Sequence, residues 1–532
     1  MRGLLNRGSG REARGAWKSL PGVFPRPGSR VPGPALFALL LAAACGPRVI
    51  VATPVPAATP APTSPAAAVD LTKPPVLGPP PRLILPPIMT RELPNGLRLM
   101  IVEHHELPVA DFVLIVRSGF ETDPRQYSGL ASLTAALLDE GTSKRTALQI
   151  ADQQAFLGVR LNTSAAWDFS TVSLHTPTAQ LDSALALFAD VALNPSFPQA
   201  EIERLRAERL TLLTQLKDRP TAIADQAYAA ILYGSDYPYG RPTLGTEASV
   251  KRITQGDVRG FYEEHYRPNN ATLIVVGDVR PADIERRLGA LFGRWERRNV
   301  PQAVFTKAPA PEGATVRRRT TVYLIDKPGA AQSSVRIGAI GVARSTPDYF
   351  PLLVMNTVLG VPFTSRLNQN LRETHGYTYG AGSRFDMRRE TGPFTARGEI
   401  VAAKTDSALL EFIKELRAIR DTVPQPELQK AKRYLQLMLP SLFETTGDIA
   451  HQLTSLAVYD LPLDFYNNYV QQVERVTQAD VQRVARKYID PEHLSIVVVG
   501  DRRQIEPGIQ KVGLGDVVVR DIYGAPITPM TR

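Results

Sequence analysis

The 532-residue chain has a single cysteine, Cys45, so no intrachain disulfide framework can staple it. Histidine is almost as scarce. Of the seven, only His104 and His105 are neighbours, beside Glu106. Adjacent residues on a strand point to opposite faces, so that pair reads as a polar strand end rather than a chelate. His175, His265, His375, His451 and His493 are scattered singly, which suits structural roles. A stripe of basic residues with interleaved aromatics is also missing. The net charge is +10, but much of it comes from Arg2, Arg7, Arg11, Arg14, Lys18, Arg26 and Arg30, offset only by Glu12. A nucleic-acid groove is therefore not expected. Downstream of residue 45 no apolar run is long enough to span a bilayer. Composition otherwise suits a folded chain, with 43% hydrophobic and 21% charged residues and length for two or three domains.

What is present begins with a repeat. Thr254-Gln-Gly-Asp257-Val258 returns as Thr477-Gln-Ala-Asp480-Val481, and Pro268 returns as Pro491. Leu273-Ile-Val-Val-Gly277-Asp278 returns as Ile496-Val-Val-Val-Gly500-Asp501, all at one constant offset. Two related domains of roughly 220 residues follow from this. Ahead of them, a basic flank leads into the apolar run Ala35–Cys45, too short to span a membrane comfortably, which reads as a signal-peptide core. Small residues directly before Cys45 resemble the lipobox of bacterial lipoproteins, with Ala42 where the strongest examples carry Leu. The resemblance implies cleavage before Cys45 and lipid on its sulfur; the alternative is a buried free cysteine without a role. Residues 46–88 carry 13 prolines and form an extended, semi-rigid tether.

The expected domains are a signal peptide at 1–45, the linker at 46–88, folded domains at 89–305 and 306–510, and a tail at 511–532. Strand patterns occupy 97–102, 111–117 and 170–175, and helical patterns fill 129–138, 147–157, 179–193, 198–217 and 222–232. In the second copy, strands are expected near 320–326, 334–341 and 494–499, and helices near 347–373 and 405–440. The fold class is α+β: two α/β sandwiches, each a sheet covered by helices on one face, forming a clam-like pair.

The segment Gly129-Leu-Ala-Ser132-Leu-Thr-Ala135-Ala136-Leu-Leu-Asp-Glu-Gly141-Thr142 carries the most specific signal. Together with Leu93-Pro-Asn-Gly-Leu, Arg267-Pro-Asn-Asn-Ala-Thr-Leu and both Val-Gly-Asp endings, it resembles the insulinase/pitrilysin family of zinc metallopeptidases over residues 90–505. In that family Gly-x-x-His-x-x-Glu-His precedes Gly-Thr; two histidines one turn apart hold zinc and the glutamate activates its water. Those positions fall on Ser132, Ala136 and Ala135. The third ligand, a glutamate on a later helix, should fall near Thr214 or Gln215. None of these residues is a usable zinc donor, so no metal is expected on this chain. Asp139 and Glu140 read as solvated charges at the helix end. Carried forward by the repeat, the same positions land on Met355, Val358 and Leu359, also without donors.

The second copy keeps Leu359-Gly-Val-Pro-Phe-Thr-Ser-Arg366-Leu-Asn-Gln-Asn-Leu-Arg372-Glu-Thr-His-Gly376-Tyr-Thr-Tyr379, which resembles the family's second-domain motif. The resemblance implies that Arg372 and Tyr379 face zinc across a closed chamber, the tyrosine donating to an oxyanion and the arginine holding substrate carbonyl or carboxylate groups. Otherwise Arg372 is a surface ion-pair residue and Tyr379 a packed strand aromatic. Some family enzymes divide these parts between two chains. The expectation is thus a non-catalytic, substrate-binding subunit of a periplasmic zinc peptidase. It would pair with a homologous zinc-bearing subunit, enclose peptides or unfolded polypeptides, and be anchored through Cys45 to the outer membrane facing the periplasm. The alternatives are an inert scaffold or binding lipoprotein with no part in proteolysis, and an enzyme acting alone, for which no zinc site is found.

Overall fold

A computed structural model describes residues 85–305 and 319–527 together with Gly78. Cys45, the apolar run before it, most of the tether and the expected junction at 306–318 lie outside the described residues. Among those described, no helix is long and apolar enough to cross a membrane.

The strands are β1 (Met89–Glu92), β2 (Arg98–Glu103), β3 (Val109–Val116), β4 (Arg160–Ala165), β5 (Ser170–Pro177) and β6 (Ala271–Gly277) in the first half. The second half holds β7 (Thr321–Asp326), β8 (Gln332–Ile340), β9 (Thr378–Phe385), β10 (Pro393–Val401), β11 (Ser495–Gly500) and β12 (Asp516–Arg520). They form two six-stranded sheets, ordered β1-β2-β6-β3-β5-β4 and β12-β7-β11-β8-β10-β9. Five strands of each order correspond one to one. β2 and β6 are parallel, as are β7 and β11, while the hairpins beside them are antiparallel. The sixth strand differs: β1 enters from the N-terminal side antiparallel to β2, whereas β12 arrives from the C-terminal side parallel to β7. The stretch 511–532 is therefore not simply a tail, because it contributes an edge strand to the second sheet.

The repeat that marks the duplication proves to be scaffold. Thr254 and Thr477 each accept the N–H of the aspartate three residues on, and that carboxylate accepts the threonine N–H, giving capping boxes for helices Gln255–His265 and Gln478–Tyr488. Each of these helices leads into its half's central strand, β6 or β11.

Those central strands are buried along nearly their whole length, as an apolar run without alternation requires. One face meets the half's own helices: Leu273 and Val275 pack into the first core, Ile496 and Val498 into the second. The other face is covered by a helix from the opposite half. Helix Thr446–Val458 lays Ile449, Leu453 and Leu456 against Ile274, Val276, Met100 and Ile115. Reciprocally, helix Pro220–Tyr233 lays Ile223, Ala227 and Tyr228 against Val497, Val499, Tyr323 and Ile325. The one-faced sandwich of each half is thus completed on its second face by its neighbour. Pro220, an expected break, sits in the first turn of its helix, where its missing N–H is harmless.

Two expected long helices are interrupted. The 405–440 pattern divides into Thr405–Ala418 and Gln425–Met438 before Pro424, and the 347–373 pattern divides after Leu359. A polar seam then fixes the halves. Asp168, 1% exposed, accepts from the Tyr239 hydroxyl at 2.6 Å and the Arg389 N–H at 2.9 Å. The Arg388 guanidinium lies 4.0 Å over the Trp167 ring. Tyr228 donates to the Phe394 carbonyl at 2.6 Å.

Gly338 sits beneath this contact, where a Cβ would run into the Phe394 carbonyl oxygen and lie 2.5 Å from the Tyr228 hydroxyl. Gly338→Ala is expected to force both β10 and the exchanged helix away from β8 and destabilise the chain by about 2 kcal/mol. Tyr228→Phe should lose only about 1 kcal/mol. Urea unfolding of the two variants checks the ranking.

Candidate functional site

The degenerate zinc frame forms helix Leu130–Leu137, whose N-terminal backbone N–H groups are capped from a distance. Both oxygens of buried Asp123 accept, one from the Gly129 N–H and one from the Ala131 N–H, each at 2.7 Å. Burial pushes the Asp123 carboxyl up to about 7, against the opposing pull of these bonds and of Arg241 and Arg209. Ala135 points into the core, while Ser132 and Ala136 are half-buried. Helix Gln199–Leu216 runs past them, carrying Thr214 and Gln215 on its exposed side. Thr214 spends its hydroxyl on the Leu210 carbonyl at 3.0 Å.

Zinc does not fit this arrangement. The matched positions offer one hydroxyl and two methyl groups. The hydroxyl is already engaged, since Arg209 Nη2 donates to Ser132 Oγ at 3.1 Å. Among the described residues no three of His, Cys, Asp and Glu gather in metal-binding geometry. Asp139 and Glu140 are not the solvated charges expected from the sequence. Asp139 is half-buried and accepts from Thr163 at 3.3 Å, and Glu140 pairs with Arg204 at 2.5 Å. Met355, Val358 and Leu359 are core residues of helix Tyr349–Leu359.

Most of the histidines have local partners instead of one another. His105 lies between Asp278 (2.8 Å) and Glu103 (3.1 Å), which raise its pKa; His175 meets Asp111, and His493 meets Asp490. His265 is buried, packs at a tilt against the Phe261 ring and shares a hydrogen bond with Ser118 at 3.1 Å. Burial alone holds it down at about 4.

The second-half motif is built on two backbone irregularities. Arg372 belongs to the wide π-helical turn Gln369–Thr374, and such turns cluster at functional sites. Gly376, at φ +64°, ends that turn; its N–H reaches the Arg372 carbonyl at 3.0 Å, and the Tyr377 N–H reaches Leu371 at 2.8 Å. Tyr379 lies on the edge strand β9, where Tyr379 and Gly380 together face Glu399 of β10, an extra residue that re-aims side chains. Thr378 holds the bulge, donating to the Glu399 carbonyl at 2.7 Å.

The result is an exposed face. Tyr379 is 87% exposed, so it is not a packed strand aromatic. The Arg372 guanidinium sits 4.4 Å over the ring of Phe363, itself 54% exposed, with Glu373 3.4 Å away. Buried Asn368 links the parts: it donates to the Phe363 carbonyl at 2.7 Å and accepts from the Ala381 N–H at 3.3 Å. Sequence reasoning quoted Phe363 and Asn368 inside the motif without assigning them roles. It missed Arg209, which looks like any other charge on a long polar helix.

A pH prediction follows from His265. Its folded pKa lies below the ordinary value, so on acidification the unfolded chain takes up the proton first and stability falls between about pH 6.5 and 4. The shift is worth about 3 kcal/mol. Chemical denaturation of His265→Gln should show a shallower loss over that window than the native chain.

Comparison with known proteins identifies the family. The family model described as Insulinase (Peptidase family M16) matches residues 99–247, and the one described as Peptidase M16 inactive domain matches residues 252–435. An uncharacterised zinc protease of Mycobacterium leprae is 26% identical over 76% of this chain and 90% of its own length. A protein of Helicobacter pylori described as a non-peptidase homologue is 22% identical over 76% of this chain and 91% of its own. Among solved structures, a peptidase M16 inactive domain from Pseudomonas fluorescens superposes with a TM-score of 0.72 at 27% identity, covering 78% of this chain and 98% of its own. The chain belongs to the insulinase family, peptidase family M16, as a member that lacks the family's zinc motif.

Proposed function

We propose that this protein is the non-catalytic, substrate-binding subunit of a zinc metallopeptidase, presenting Arg372 and Tyr379 to the zinc of a homologous partner chain. The observation that carries the proposal is the asymmetry between the two halves. Every zinc-ligand position of the first half lacks a usable donor, whereas the second half holds an arginine and a tyrosine in the open on a π-turn and a β-bulge. A tyrosine exposed to this degree contributes little to its own fold. Its phenol can donate to an oxyanion forming on another chain's metal, and the Arg372 fork can hold a peptide carbonyl or carboxylate. Because β9 ends its sheet, a peptide in extended form could also pair with its free edge.

Peptides or unfolded polypeptides are the substrate class in this reading, and zinc resides on the partner alone. Lipidation at Cys45 would tether the protein to the outer membrane, facing the periplasm, with residues 46–88 as spacer. An inert scaffold lipoprotein is the competing reading, and the two separate experimentally.

The lipidated chain, purified with its envelope neighbours, is expected to bring a zinc-bearing homologue with it. In the reconstituted pair, Arg372→Ala and Tyr379→Phe should each lower kcat/KM for peptide cleavage by roughly 100-fold. Tyr379 is exposed and Arg372 is half-buried, with surface contacts to Phe363 and Glu373, so the thermal midpoint of this chain should shift little. Unchanged turnover in a pair that still assembles would leave only the scaffold.

A further inference from the structure

The first half has done more than lose its metal ligands. Arg209 on helix Gln199–Leu216 reaches across to helix Leu130–Leu137, its Nη1 donating to the Gly129 carbonyl at 3.0 Å and its Nη2 to Ser132 Oγ at 3.1 Å. These are the two helices that a metal would join in the zinc-bearing members, with donors of the first and a carboxylate of the second. We infer that Arg209 is a built-in substitute for the ion, a permanent cation that clips the two helices together and closes the site to divalent metal.

Charge and surroundings support this. In the zinc-bearing members the divalent ion is balanced by two carboxylates, the ligand and the base. Here Ser132, Ala135 and Ala136 carry no charge, and Arg209 supplies the one cation between the helices, with Asp123 as the nearby carboxylate. The neighbouring arginines of the helix behave differently: Arg204 pairs with Glu140, Glu201 and Glu208, and Arg206 pairs with Glu203. Among the described residues Arg209 makes no such ion pair, and both of its hydrogen-bond acceptors are neutral oxygens. A half-buried guanidinium without a direct counter-ion is costly to keep. The nearest compensation is Asp123, whose carboxylate also caps helix Leu130–Leu137. Burial lowers the Arg209 pKa to about 10, with Asp123 opposing, so it stays charged at any physiological pH. Ser132 fits the same account. A hydroxyl accepts from a guanidinium, whereas alanine at that position would leave Nη2 unpaired.

Such a cation alters what restoring the motif can achieve. Placing histidines at 132 and 136 and a glutamate at 135 recreates donors, but the ion would have to settle beside a fixed positive charge in partly buried surroundings.

The test combines Ser132→His, Ala135→Glu and Ala136→His with Leu212→Glu or, separately, Leu213→Glu, the positions one turn beyond Arg209 on the same helical face. Each set is made with Arg209 intact and with Arg209→Ala. Zinc per chain is measured after equilibration with zinc sulfate and desalting. The expected result is at least tenfold more zinc in the Arg209→Ala background for one of the two glutamate positions. Equal zinc content in both backgrounds, whether high or low, overturns the inference. A second measurement needs no heavily substituted chain. Thermal unfolding of Ser132→Ala, Arg209→Met and the double variant should give non-additive losses, with Arg209→Lys retaining part of the stability. Strict additivity would show that the two helices are not clipped through this pair.

Discussion

Each central strand of this protein is apolar on both faces, and each half covers the outer face of the other's sheet. Much of the structure depends on this exchange of helices Pro220–Tyr233 and Thr446–Val458. The exchanged helices hold the two sheets in a fixed relation, so the seam of Asp168, Tyr239 and Arg389 closes at one geometry only. Close packing of this kind resists graded movement. In the assembly proposed above, an opening that admits a large substrate would therefore lie between chains.

Much of the fold could be read before the structure. The constant offset of the repeat gave two domains, and the apolar runs ending at Gly277 and spanning 494–499 read as strands, though their central place in each sheet came only with the structure. The exchange could not be read that way. Both exchanged helices carry ordinary amphipathic patterns, and periodicity shows that a face is buried without showing against what. β12 was missed for a similar reason: Asp516–Arg520 is a short run near the chain end, and only its pairing with β7 makes it a strand. Pro424 ended a helix that periodicity alone had carried through.

The candidate sites were legible to different degrees. The missing zinc donors were plain from residue types, since alanine offers no lone pair in any fold. Arg372 and Tyr379 were found through the resemblance of their segment to the family's second-domain motif, but their exposure and the irregular backbone beneath them were not. A π-turn and a bulge each depend on one surplus residue, which leaves no mark on composition. Arg209 was hidden most thoroughly, because its partners lie far back in the sequence and include a backbone carbonyl.

The origin of the two outer strands has a consequence for synthesis. β1 opens the first half, so the first sheet's strands are all available once β6 has been made. Its outer face nevertheless stays bare until residues 446–458 emerge, and the second sheet waits for 516–520. Neither half can reach its final form while most of the chain is still being made. During that interval a broad apolar surface is presented to the surroundings, and such surfaces aggregate or recruit chaperones. The architecture that makes the finished molecule rigid also makes its birth all-or-none.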